Sequence, residues 1–213
     1  MNPPGKRQPG RPKSSEHSPN LKDQILLHAS RLFTEHGYEK ISLDSIAEAC
    51  GITKASVYYY FPNKAELYTM SIVALMGIIR KQTRRILELP GSLEERLTQV
   101  VRVYLKNRHP DFETMMREVK PHVTAEQTAL MRQSESGLHE LLAETFRKAM
   151  DQGEIGEANP LFLSHAFTAL LMIGGREPET SPFASREEAA EAIVAFFCSG
   201  ARAKAAGDGG SEV

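Results

Sequence analysis

Helix-start signals recur along the whole of this chain, and nothing between them alternates like a strand. A Ser, Thr, Asn or Asp can cap a helix by accepting a backbone N–H just inside it, and an acid, amide or hydroxyl three residues later can return the bond. Asn20 with Asp23, Ser42 with Ser45, Asn63 with Glu66, Ser92 with Glu95, Thr124 with Gln127 and Ser185 with Glu188 have this spacing. Thr53 and Asp111 are further caps, and Asn159 precedes Pro160, a proline at a position where its missing N–H costs nothing. Stops follow at Gly37, Gly51, Pro62, the Pro90–Gly91 pair and Gly153. With no hairpin turn and no internal repeat, the pattern predicts an all-α chain of about nine helices.

The fourth of these helices carries apolar residues at Leu67, Ala74 and Ile78, with Ser71 on the same face, and extends to about Glu88. At 1.5 Å per residue it spans on the order of 35 Å, too long for a small N-terminal unit alone, so it is expected to join two modules. With 41% hydrophobic and 25% charged residues, the composition is that of an ordinary globular chain. The net charge of −1 hides an asymmetry, because Lys6, Arg7, Arg11 and Lys13 all precede the first acid, Glu16. Both chain ends are rich in Pro, Gly, Ser and small residues and are expected to be mobile.

Cys50 and Cys198 are too far apart in sequence to suggest a disulfide framework or paired metal ligands, so a reduced, cytoplasmic setting is expected. Cys50 at a turn leaves a redox role open, and Cys198 reads as interface or core packing. The longest apolar run, "LFLSHAFTALLMIGG", is broken by Ser164, His165 and Thr168 and falls short of the roughly 20 residues that span a bilayer. No apolar segment follows the N-terminal charges, so neither export nor membrane insertion is expected.

Helices two and three are short and joined by Cys50, Gly51 and Ile52, with glycine where the backbone turns left-handed, which is helix-turn-helix geometry. Helix three holds three consecutive tyrosines, and successive helical residues point about 100° apart, so at least one phenol ring must lie outside. On a helical wheel Val57 and Phe61 face inward with Ile46, Ala47 and Ile52. Ala55 and Tyr59 then point away, flanked by Lys54 and Tyr58 on one side and Ser56 and Tyr60 on the other. Hydroxyls, phenols and an amine suit phosphate oxygens and base edges, and an alanine methyl suits a thymine methyl. The free N–H groups at Ser42 and Thr53, and those beside Lys64, are ready anion sites.

From about Leu21 to Ser71, and above all in "AEACGITKASVYYYFPNKAELY", the chain resembles the DNA-binding domain of TetR/AcrR-family transcriptional regulators. The glycine after helix two, the aromatic run, the aromatic-Pro-Asn-Lys turn and the acidic-Leu pair carry the resemblance. It implies that Thr53, Lys54, Ala55, Tyr58 and Tyr59 meet bases or phosphates, while Ser42, Tyr60 and Lys64 anchor the DNA backbone. Tyr60 stands where the family often has His, and a phenol still donates to phosphate. The "GRPK" arm resembles minor-groove hooks, with Arg11 extended between Gly and Pro; a solvated tail is the alternative.

The implied organisation is a basic arm over residues 1–19, a helix-turn-helix DNA-binding domain over 20–66, a helical ligand-binding and dimerisation domain over 67–203, and a tail over 204–213. Family members are usually homodimers whose last two long helices pair with those of a second copy. Here Leu161, His165, Thr168 and Met172 share one face, and Ala189, Ile193, Phe196, Phe197 and Gly200 another. An intramolecular hairpin is the competing reading. Apolar and thioether side chains in the middle helices suit an adaptable pocket for a small, largely apolar effector, with Tyr104, Phe112, Met115, Met116, Leu138, Leu142, Phe167 and Met172 as candidates. In the family, effector binding shifts the fourth helix and lowers DNA affinity.

Glu118 with His122, and Glu135 with His139, stand one helical turn apart and suit surface pairing, a metal or a ligand's polar group; no metal site is expected. Arg108 and His109 fit either a helix end or a pocket mouth. There is no G-x-S-x-G, H-E-x-x-H, phosphate-cradling glycine loop or C-x-x-C, so no catalytic residue and no cofactor is expected. The expectation is a one-component repressor binding palindromic double-stranded DNA, with an activator, or a protein of this fold that binds no operator, as alternatives.

Overall fold

The computed structural model describes residues 20–106, 111–175 and 181–201. Within them run nine α-helices and one 3₁₀ turn, with no strand: α1 (Leu21–His36), α2 (Leu43–Cys50), α3 (Lys54–Tyr60), α4 (Lys64–Leu87), α5 (Leu93–Lys106), α6 (Phe112–Val119), the turn Lys120–His122, α7 (Ala125–Asp151), α8 (Pro160–Gly174) and α9 (Arg186–Ala201). Arg11, the rest of the basic arm, Arg108, His109 and the C-terminal tail lie outside the described residues.

The caps act as the sequence spacing predicts. Asn20, Asn63 and Thr53 each accept the N–H three residues on, from Asp23, Glu66 and Ser56. Ser42 with Ser45 and Thr124 with Gln127 close reciprocal boxes, and Asn159 accepts from both Leu161 and Phe162. Each such cap stabilises its helix by about 0.5–2 kcal/mol. Gly51 ends α2 in the left-handed region, at φ 65° and ψ 31°, and its N–H returns to the carbonyls of Ala47 and Glu48. A side chain there would be strained, so the turn that sets α3 against α2 depends on glycine.

Two cores hold the helices. Ile25, Ala29 and Phe33 of α1, Ile46 of α2, Val57 and Phe61 of α3, and Leu67, Tyr68 and Ile72 of α4 pack together at the N-terminal end. Met115, Met116, Val119 and Met131, from α6 and the first half of α7, complete this cluster, so a boundary at residue 66 falls inside a core rather than between two. The second core gathers α5, α7, α8 and α9 around the mutually packed rings of Phe146, Phe167 and Phe197. The long α4 contributes to both, through Leu67 to Ile72 at its start and Ile86 and Leu87 at its end. Val73 and Ala74 still pack against the N-terminal core, and beyond them Ile78, expected on the buried face of α4, is half exposed.

Candidate functional site

Val57 and Phe61 are fully buried, and they fix the roll of α3. With those two inward, Tyr59 is 83% exposed and Tyr58 44%, while Tyr60 is half buried with its ring edge-on to Tyr59. Thr53, Lys54 and Ala55 are exposed at the same end, and the Thr53 and Ser56 hydroxyls lie 2.8 Å apart. Lys54 donates to Asp44 of α2 at 2.8 Å, and this carboxylate raises the lysine's pKa. The same ammonium stands 5.8 Å from the centre of the Tyr58 ring. Because both partners are more than half exposed, the pair adds little stability and yields readily to a phosphate.

Ser42 caps α2 on the exposed side, so hydroxyls and free N–H groups flank the α3 face. Lys64, at the first turn of α4, is less free than its sequence position suggests. It donates to the Glu39 carbonyl at 3.3 Å and stands 4.2 Å over the Tyr38 ring, and partial burial pushes its pKa down. Tyr38 in turn packs against Phe33 and Tyr68 and stacks on His122, whose Nε2 lies 2.6 Å from Glu39. His122, in the 3₁₀ turn, therefore pairs with Glu39 on the α1–α2 connection rather than with Glu118 at the end of α6. The sequence carried no signal for the Lys54–Asp44 or His122–Glu39 partners, since neither pair has helical spacing.

A cavity of about 620 Å³ opens between α4, α5, α6, α7 and α8. Tyr104, Phe112, Met115, Leu138, Leu142, Phe167 and Met172 line it, and Met116 does not, because it turns into the N-terminal core. Thr168, half-buried, and His165, exposed, are expected on an outer dimer face and also line the cavity. Ile193 and Phe197 are buried within their own subunit, since α9 must supply the second core. Leu161, Phe196 and Gly200 remain exposed, as does Phe162 beside them.

One strip of the cavity wall is polar. Arg132 binds Glu113 through both carboxylate oxygens and reaches Glu135 at 3.4 Å. Burial raises the Glu135 pKa, with Arg132 opposing the rise. His139, one turn along α7, is buried, stacks on His165 with ring centres 3.9 Å apart and lies 3.3 Å from the Ser164 hydroxyl. Burial, helped by His165, pushes its pKa down to about 4. Burial also pushes the Tyr104 phenol up to about 12. Among the described residues no cluster of His, Cys, Asp and Glu could hold a metal ion.

Known proteins match both parts. The sequence model for bacterial regulatory proteins of the tetR family matches residues 25–69. The biofilm operon icaADBC HTH-type negative transcriptional regulator IcaR of Staphylococcus epidermidis is 44% identical over 52 residues, which are 24% of this chain and 28% of that relative. A transcriptional regulator of the TetR/AcrR family from Thermobifida fusca superposes with a TM-score of 0.60 at 24% identity, over 86% of this chain and 100% of that one. AibR, solved with isovaleryl coenzyme A and operator DNA, superposes with a TM-score of 0.58 at 24% identity, over 83% and 97%. These structural likenesses show the fold, and the sequence match shows that residues 25–69 form a helix-turn-helix similar to that of the tetR family of bacterial regulatory proteins.

Proposed function

We propose that this chain is a ligand-responsive transcriptional repressor, acting in the cytoplasm, that binds a palindromic operator as a homodimer and is released by a small, largely apolar effector. The observation that carries the reading is the α3 face: Lys54, Ala55, Tyr58 and Tyr59 stand outside while Val57 and Phe61 lock the helix from within. A face with that much exposed aromatic and hydroxyl surface, flanked by capped helix starts, has the groups that phosphates and base edges take. IcaR is a negative regulator and AibR was solved on operator DNA, which favours the same role here. Nothing in this reading calls for a catalytic residue or a cofactor.

The exposed apolar side chains of α8 and α9, Leu161, Phe162 and Phe196, with Gly200 allowing close approach, suit pairing with a second copy. Two α3 helices would then enter major grooves one turn apart, about 34–36 Å. The cavity is the proposed effector site, and α6 is its link to the DNA-binding end. Phe112 and Met115 line the cavity and also pack, with Met116 and Val119, into the N-terminal core. An effector that prefers one position of α4 and α6 shifts the DNA-binding equilibrium by that difference in affinity and no more.

The test is a duplex selected from a random pool and titrated by anisotropy with wild type, Tyr58→Phe and Lys64→Ala. Losing one phosphate hydrogen bond per subunit predicts an affinity about fivefold to tenfold weaker per site for Tyr58→Phe. Lys64→Ala is expected to weaken binding and flatten its salt dependence. Unaltered affinity in both folded variants would remove the contact assignments.

A further inference from the structure

We propose that the cavity is built for an apolar molecule carrying a protonated, N–H-bearing amine, with the amine held by Glu135 and by Nε2 of His139. This names the chemical class of effector and rests on reading the cavity as the effector site.

The polar strip is unbalanced. Two carboxylates, Glu113 and Glu135, share the single Arg132 guanidinium, and Glu113 takes the larger part with contacts through both of its oxygens. Glu135 retains one contact at 3.4 Å through Oε2, and no donor among the described residues reaches its Oε1. Its carboxyl lies on the cavity wall and is mostly removed from water. An acceptor in that position is costly to leave unmatched.

His139 adds a second acceptor, and its tautomer follows from its neighbour. The Ser164 hydroxyl has one proton, which goes to the Leu161 carbonyl at 2.8 Å. Ser164 can then only accept from His139, so Nδ1 carries the imidazole proton and Nε2 presents a lone pair. Burial keeps this ring neutral, and the stacked His165 discourages a charge on it further. The strip therefore offers acceptors and keeps its strongest donors engaged, for Arg132 is tied by Glu113 and lies over the Phe112 ring at 5.4 Å. A carboxylate or phosphate ligand would meet Glu135 with a guanidinium already committed. An ammonium would supply Glu135 with a positive partner it need not share and Nε2 with an N–H, while Leu138, Leu142 and Phe167 take the apolar body.

Decylammonium, decanol and decanoate share an apolar chain and differ at the head group, so their titration against the full chain by calorimetry, below micelle-forming concentrations, isolates the polar strip. A charge-assisted bond to a part-buried carboxylate predicts decylammonium binding about tenfold or more tighter than either of the others. Glu135→Gln should abolish this preference. Decanol or decanoate binding as tightly as the amine to wild type, an undiminished preference in Glu135→Gln, or no binding by any of the three would overturn the proposal. Failure of the effector-site reading looks different: the amine binds with the stated preference, and operator affinity does not respond.

Discussion

Two residues apart on α3, Val57 is fully buried and Tyr59 is 83% exposed, and the proposed function turns on that contrast. The sequence shows it because a helix turns about 100° per residue, so a buried Val57 and Phe61 dictate where the tyrosines go. What the sequence hides at this scale is partnership across elements. Lys54 meets Asp44, Lys64 meets the Glu39 carbonyl, and His139 meets His165, each through chain reversals that no local spacing encodes. His139 yields a prediction of its own. Its folded pKa of about 4 lies below the ordinary value of 6.5, so between these values the unfolded chain binds the extra proton. Its contribution to stability is full above pH 6.5 and is lost as the pH falls toward 4. Urea midpoints should therefore drop over that window in wild type and drop less in His139→Gln; parallel curves for the two proteins would show that the histidine is not held neutral.

Element boundaries were legible because capping is local: each of α1 to α4 begins one residue after the side chain that caps it. The 3₁₀ turn over Lys120–His122 was not foreseen, since Pro121 reads only as a stop. Helix faces were harder to assign where a helix is apolar nearly all round. In α8 and α9 periodicity cannot say which side meets the subunit and which meets solvent, and so Ile193 and Phe197 are expected outside and lie buried, while His165 and Thr168 line the cavity without being buried. At this scale α6 matters most, because it touches the cavity with Phe112 and Met115 and the N-terminal core with Met116 and Val119. The turn after it carries the latch of His122 on Tyr38 and Glu39. Loosening that latch with His122→Ala is expected to reduce the ratio of operator affinities measured without and with a saturating effector. Intrinsic folding should survive, since exposed pairs contribute only about 0–1 kcal/mol. An unchanged ratio would place the coupling elsewhere, along α4.

For the whole molecule, the question is how two cores sharing α4 and α7 would act as the proposed switch on DNA. The all-helical class was readable from caps and missing strand signals, while the interlocking of the cores was not, because Met115, Met116, Val119 and Met131 are distant in sequence from the helices they cover. Assembly sets the next scale. Phe196, 71% exposed on α9, is expected to sit in the seam between two copies, so Phe196→Glu should shift the sedimentation coefficient from dimer to monomer and weaken operator binding together. A variant that stays dimeric would move the seam off this face. The central claim is that the α3 surface rests in a DNA groove, and the most direct measurement is operator affinity across a salt series for wild type and Tyr59→Ala. A palindrome selected from a random pool should bind with log affinity falling steeply and linearly against log salt, and Tyr59→Ala should bind it more weakly at every salt concentration while keeping its thermal midpoint. Affinity that stays flat with salt, with no sequence enriched and no difference between the two proteins, would contradict it.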